Sequence, residues 1–192
     1  MGKKQLSREV LEDTYLRIVE KQGKIRISEA EELLVNLRGK EGFVSTLRKV
    51  SSGNTAQASG HLHELFIANH AQARGLRVVA IGKKFNDGIK RGLTDIDLVV
   101  KNKKTTIPVE AKHYEATTEI PLDKFRADMD TLNVFCKSQG GKCTPVFTLR
   151  NKPANDVSAN ILEKEATRRK IELIYGSPEE VSTQLKVLSE VP

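Results

Sequence analysis

Residues 7 to 49 place apolar side chains at helical intervals. Val10, Leu11, Tyr15, Ile18 and Val19 share one side of a helix that Ser7 can cap and that stops near Gly23. Ser28-Glu29-Ala30-Glu31 has the pattern of a capping box and predicts a second helix through Leu33, Leu34 and Leu37, with Gly39 at its end. A third, shorter helix is expected from Gly42 to Val50. The small, polar stretch SSGNTAQASG, residues 51 to 60, reads either as a linker or as the loop leading into the next helix. HLHELFIANHAQARG then predicts a helix with Leu62, Leu65, Phe66 and Ala73 on its apolar side and Gly75 as its stop.

From residue 76 the period shortens to two. LRVVAIG, residues 76 to 82, is a strand of the buried type. TDIDLVVKNKKTTIPVEAK, residues 94 to 112, predicts two strands around a KNKK turn. Ile96, Leu98 and Val100 share one face of the first, and Asp95, Asp97 and Val99 the other. Ile107, Val109 and Ala111 form the apolar face of the second, leaving Glu110 and Lys112 opposite. Pro108 removes one ladder donor, so this strand is expected to be irregular there or to lie on an edge. A helix from Pro121 to about Ser138 carries Leu122, Phe125, Met129, Leu132 and Phe135. The strand TPVFTL, a helix near Asn155 to Arg169, the strand IELIY and a last helix opened by Ser177-Pro178 complete the chain. The order predicts an α/β fold on a mixed central sheet flanked by helices, beginning with a strand meander. Its expected organisation is a small N-terminal helical region (1–55), a core (56–176) and a C-terminal helix (177–192).

Composition narrows the classes of function. The chain has 192 residues, 38% hydrophobic and 30% charged, and no apolar run long enough to span a bilayer. Its first residues turn acidic and polar where a secretory signal would be apolar, so the expected location is intracellular: cytoplasmic, and nucleoid-associated in a prokaryote. Cys136 and Cys143 are the only cysteines and lack metal-site spacing; they read as two reduced, half-buried thiols. The net charge is +7, and Arg74 to Lys104 holds nine basic residues against three acids. Such a concentration suits a polyanionic partner such as nucleic acid, or is simply a solvated face. The three N-terminal helices fit a helix-turn-helix-like DNA contact or a packing or dimerisation cap; the lack of an evident recognition helix favours the cap. Without a GxGxxG or Walker pattern, nothing supports a nucleotide-hydrolysing motor.

The charged strand positions raise a chemical question. A hairpin through KNKK brings Asp95 and Asp97 alongside Glu110 and Lys112, within one or two residues of register. Hairpin geometry alone leaves open which aspartate faces Glu110. Three carboxylates this close repel unless a cation or a proton lies between them, and one lysine cannot neutralise three. Hard oxygen ligands in a partly open site suit Mg²⁺, with Mn²⁺ as substitute. The alternative is a structural ion-pair cluster on a solvated sheet face. Lys83, Lys84, Lys90 and Arg91, in the GKKFNDGIKRG loop leading into the first charged strand, are candidate phosphate contacts. His61 and His63, which point to different sides of their helix, could each touch phosphate or substrate, but read rather as partly exposed helix residues. His113 should face away from Lys112, and Tyr114 should return to the charged face.

Asp97-Leu-Val-Val followed by Val109-Glu110-Ala111-Lys112, with Gly60-His-Leu-His-Glu64 upstream, resembles the signature of the PD-(D/E)XK nuclease superfamily. Holliday junction resolvase-like and Mrr-like members are the nearest. The resemblance covers roughly residues 56 to 176 and implies a restriction-endonuclease-like core of order αβββαβ. It implies that Asp97 and Glu110 bind the metal with the Ala111 carbonyl, that Lys112 is the catalytic lysine, and that Glu64 adds a carboxylate directly or through water. In such families the aspartate opens an apolar triplet, which favours Asp97 over Asp95 as the ligand. The proline before the aspartate is absent, and the next helix lacks the glutamine of some exonuclease members. The resemblance implies a Mg²⁺-dependent endonuclease acting on duplex or branched DNA, naturally a homodimer because two cuts need two sites. The alternatives are an RNA-directed or exonucleolytic member, or a nucleic-acid-binding protein that keeps the fold without turnover.

Overall fold

The computed structural model describes residues 6–23, 25–86, 88, 93–103 and 105–191. Among these, α1 (Arg8–Gln22), α2 (Ile27–Leu37), α3 (Phe43–Ser52) and α4 (Thr55–Ala73) precede β1 (Arg77–Phe85), β2 (Thr94–Asn102) and β3 (Thr105–Lys112). Then come α5 (Leu122–Lys137), β4 (Val146–Leu149), α6 (Asp156–Arg169), β5 (Glu172–Tyr175) and α7 (Pro178–Glu190). The strands form one five-stranded sheet in chain order. The β1/β2 and β2/β3 pairs are antiparallel, and the β3/β4 and β4/β5 pairs are parallel. The protein is therefore mixed α/β, a mixed sheet flanked by helices.

Local chemistry explains most of the helix ends. Ser7 accepts the Val10 N–H at the start of α1, and Gly23 closes that helix in the left-handed region. The Ser28 capping box does not form: α2 begins at Ile27, so Ser28 already lies inside its first turn, and Arg26 at the cap makes an ion pair with Glu29 at 3.0 Å. The expected loop at 51 to 60 is helical from Thr55 onward. Asn54 and Gln57 cap α4 reciprocally, a signal that the small polar composition concealed. Ser177 and Glu180 do the same for α7.

One apolar core joins the N-terminal helices to the sheet. Leu11, Leu33 and Leu47 pack with Leu65 of α4, Val100 of β2 and Leu185 of α7. Gly42 fixes the approach of α3 to β1. Its φ is +80°, and a Cβ there would lie 1.7 Å from the Ile81 carbonyl oxygen. On the other sheet face Phe125, Met129 and Leu132 of α5 pack with Phe147 and Leu162. Ile96 lies in this second group with Val99, not with Leu98 and Val100 as strict alternation requires. The β2 strand leaves its β3 ladder just before Leu98 but stays paired with β1 as far as Thr94.

β3 is the middle strand of the sheet rather than an edge. Thr106 donates its N–H to the Lys142 carbonyl, so even-numbered residues of β3 address β4. Pro108 sits in the gap between that bridge and the ladder that starts at Val109↔Val146, where its missing donor leaves nothing unpaired. The two thiols are also not as expected. Cys136, near the end of α5, and Cys143, in the turn before β4, form a disulfide with Cα atoms 5.4 Å apart. The sharp return from α5 into β4 brings both side chains to one place. No described helix is long and apolar enough to cross a membrane.

Candidate active site

The site exists because two paired strands part. The β2/β3 ladder runs from Asn102↔Thr105 to Leu98↔Val109 and stops, although both strands continue beyond it. The odd-numbered N–H groups of β3 address β2, so the Ala111 N–H would otherwise be orphaned. The Asp97 carboxylate fills the gap and accepts that N–H at 2.9 Å. Glu110 and Lys112 flank Ala111 on the α5 side of the sheet, and the Lys112 ammonium donates to Glu110. The same ammonium lies 3.2 Å from Asp128 Oδ2 of α5, an ion pair without hydrogen-bond geometry. Glu64, buried on α4, lies 3.0 Å from His61 Nδ1 and accepts from it in the tautomer that carries the proton there.

Electrostatics record a shortage of positive charge. Part of Asp97 reaches solvent, yet burial, followed by the Glu110 and Glu64 carboxylates, raises its pKa well above the usual range. Burial raises Glu110 to about 7 against the pull of Lys112, and Asp128 and Glu64 add to the rise. For Lys112 burial works against the charged form, but Glu110, Asp97 and Asp128 more than offset it and hold the ammonium protonated. One ammonium thus serves Asp97, Glu110 and Asp128, while Glu64 also bears on the two strand carboxylates. Among the described residues, no three His, Cys, Asp or Glu side chains converge closely enough to form a metal-holding group.

Of the residues singled out in the sequence, Asp97, Glu110, Ala111, Lys112 and Glu64 come together. Asp95 does not join them: its Oδ2 pairs with Lys49 of α3 and Lys84 of β1, each at 3.2 Å. Lys83 is taken by Glu41 at 2.8 Å, so Lys83 and Lys84 both serve as local ion-pair partners. Lys90 and Arg91 lie outside the described residues. Asp128 was missed by sequence reasoning. Its only sequence signal is an acid beside Met129 and three residues after Phe125, on the stripe that faces the sheet. His63 is not partly exposed as expected but 3% exposed; burial, with the nearby His113 and Arg150, pushes it down to about 3. His113 lies on the α4 side, in edge contact with the His63 ring at 5.2 Å, away from Lys112 as anticipated. Tyr114 packs partly buried toward the α5 layer.

No family model matches the chain, and neither the curated proteins nor the solved structures contain a match.

Proposed function

We propose that this protein is a metal-dependent nuclease of the PD-(D/E)XK type, with a restriction-endonuclease-like core, that hydrolyses phosphodiester bonds in duplex or branched DNA. The observation that carries this reading is the parting of β2 from β3. It sets the Asp97 carboxylate against the Ala111 N–H, beside Glu110 and Lys112, with Glu64 bearing on both carboxylates. The chemistry of these donors suits a hard divalent cation such as Mg²⁺, because buried carboxylates outnumber the ammonium, although binding would have to draw them closer than they stand among the described residues. Asp97 and Glu110 would hold the ion, with the Ala111 carbonyl and Glu64 as further ligands. When bound, it would polarise the phosphoryl group and acidify a water.

Hydrolysis joins the water oxygen to phosphorus and breaks the bond to the 3′ oxygen, and a water proton ends on the departing 3′ hydroxyl. The Lys112 ammonium is held charged by its carboxylate neighbours and offsets negative charge on the phosphoryl oxygens in the transition state. Asp128 positions Lys112 from the α5 side. Two cuts across a duplex or junction call for two copies of the chain, which is the reason to expect a homodimer.

A second reading, a DNA-binding protein without turnover, draws support from the absence of a converged metal-holding group among the described residues. In it, Lys112 with Glu110 and Asp128 is a structural ion-pair cluster. The test is cleavage of supercoiled plasmid and of a synthetic four-way junction in Mg²⁺, Mn²⁺ or EDTA. Metal-dependent cutting that disappears in Asp97→Asn and Lys112→Ala is the expected result. Absence of cutting with any metal, with DNA binding unchanged in EDTA, would overturn the nuclease reading in favour of the second.

A further inference from the structure

A cavity of about 570 Å³ opens on the α4 side of the sheet, on the opposite face from the Glu110 and Lys112 side chains, and none of the carboxylates of the cluster lines it. One end is bounded by His113, Arg150 and Ser177, the residues just beyond the carboxyl ends of the parallel strands β3, β4 and β5. Crevices at that end of parallel strands are where open α/β sheets bind ligands, and the volume is ordinary for a small-molecule site. Leu62 and Phe66 of α4, with Ile25, form an apolar wall. The cavity adjoins the cluster through covalent neighbours: His63 precedes Glu64, His113 follows Lys112, and the Arg150 N–H donates to the Lys112 carbonyl at 2.9 Å.

The polar groups of this cavity are unevenly satisfied. Its acids already have partners: Glu29 pairs with Arg26 at 3.0 Å, Glu32 accepts from Asn36 at 3.4 Å, and Glu179 pairs with Arg74 at 3.3 Å. Two of its potential donors do not. The Arg150 guanidinium makes no hydrogen bond or close ion pair with a described residue, and its charge acts on the Glu180 carboxylate in the first turn of α7. His63 is 3% exposed, and its Nε2 is buried without a partner. That nitrogen is closed off from the cavity, so Arg150 is the group poised to meet a ligand there. An anionic acceptor would meet the planar donor fork of the arginine.

We propose that this cavity is a nucleotide subsite, in which Arg150 binds a phosphate beside His63 and the Leu62–Phe66 wall receives the base or sugar. It rests on the nuclease reading for its ligand class, because a strand cut at the carboxylate cluster would have to pass round the end of β3 at His113 to reach it. Phosphate on a free mononucleotide and phosphate within a strand present the same chemistry.

Three of the four histidines (His63, His70 and His113) line the cavity, while His61 sits at Glu64. Titrating the wild-type protein in EDTA with a deoxynucleoside 5′-monophosphate, and separately with a short single-stranded oligonucleotide, should shift these three sets of ring resonances and spare His61. Calorimetry on Arg150→Gln should show affinity for both ligands weakened at least about tenfold, the loss expected for one charge-assisted hydrogen bond, while Arg168→Gln, an exposed change on α6 away from the cavity, binds as wild type. A response to the oligonucleotide alone would support the subsite and assign it to a strand; a response to the mononucleotide as well would support it and admit free nucleotides. Silent cavity histidines with both ligands, in a protein that still cleaves DNA in Mg²⁺, would overturn the subsite and leave the nuclease intact. Shifts of the three histidines in a protein that never cleaves would retain the subsite and sink the nuclease.

Discussion

Replacing Glu110 by glutamine tests whether the site truly carries more buried negative charge than the chain can neutralise. Glu110 is raised from 4.5 to about 7, with burial as the first cause. A carboxyl whose folded pKa exceeds its unfolded one holds its proton more tightly when folded. Its contribution to stability is thus fully present below the unfolded value, declines as pH rises through the window from 4.5 to about 7, and falls no further above it. At roughly 1.4 kcal/mol per pH unit of displacement, the loss is at most about 3 kcal/mol in the metal-free protein. The amide keeps the side chain's shape and an acceptor for Lys112, which also retains Asp128 at 3.2 Å. Glu110→Gln should therefore match the wild type near pH 4.5 in EDTA and exceed it by about 1–3 kcal/mol near pH 8. Urea unfolding followed by far-ultraviolet circular dichroism measures this, since the chain has no tryptophan to report. Saturating Mg²⁺ should stabilise the wild type and not the variant. A variant that is less stable than wild type by the same margin at both pH values would refute the reasoning, because the Glu110–Lys112 pair would then be a net stabilising ion pair.

Asp95→Asn should retain cleavage within about threefold, since Asp95 engages Lys49 and Lys84 outside the cluster; a loss as deep as that of Asp97→Asn would return Asp95 to the site. Gly42→Ala should cost at least about 3 kcal/mol by thermal or urea unfolding, because its Cβ would meet the Ile81 carbonyl in a left-handed backbone. A cost below about 1 kcal/mol would show that α3 can move away from β1 without penalty. Cys136→Ser with Cys143→Ser should lower stability by about 2 kcal/mol, the effect of opening a short cross-linked loop. Two titratable thiols in the unreduced native protein would contradict the bond.

Much of the secondary structure follows from short-range physics and was legible in the sequence. Ser7 and Gly23 bound α1 because capping needs only neighbours, and period-two alternation marked the strands from 94 to 112. The exceptions are instructive. Ser28 offered the right residues for a cap, but α2 started one residue earlier, and Asn54 capped a helix inside a stretch whose composition read as loop. Both decisions turn on where a helix packs, and short polar side chains serve caps and loops equally well.

The sequence by itself determined that carboxylates and a lysine would gather on adjoining strands, because strand period alone puts Glu110 and Lys112 on one side. Which aspartate met them was a tertiary matter. It depended on the residue at which β2 leaves β3, and that left Asp97 at the open Ala111 N–H while Asp95 turned to lysines from α3 and β1. Asp128, the Cys136–Cys143 bond and the cavity holding His63 and Arg150 likewise join segments far apart in sequence or meeting at a turn. No periodicity encodes such meetings, because they follow from how helices and strands of given length dock, and a sequence pattern specifies the faces but not their juxtaposition.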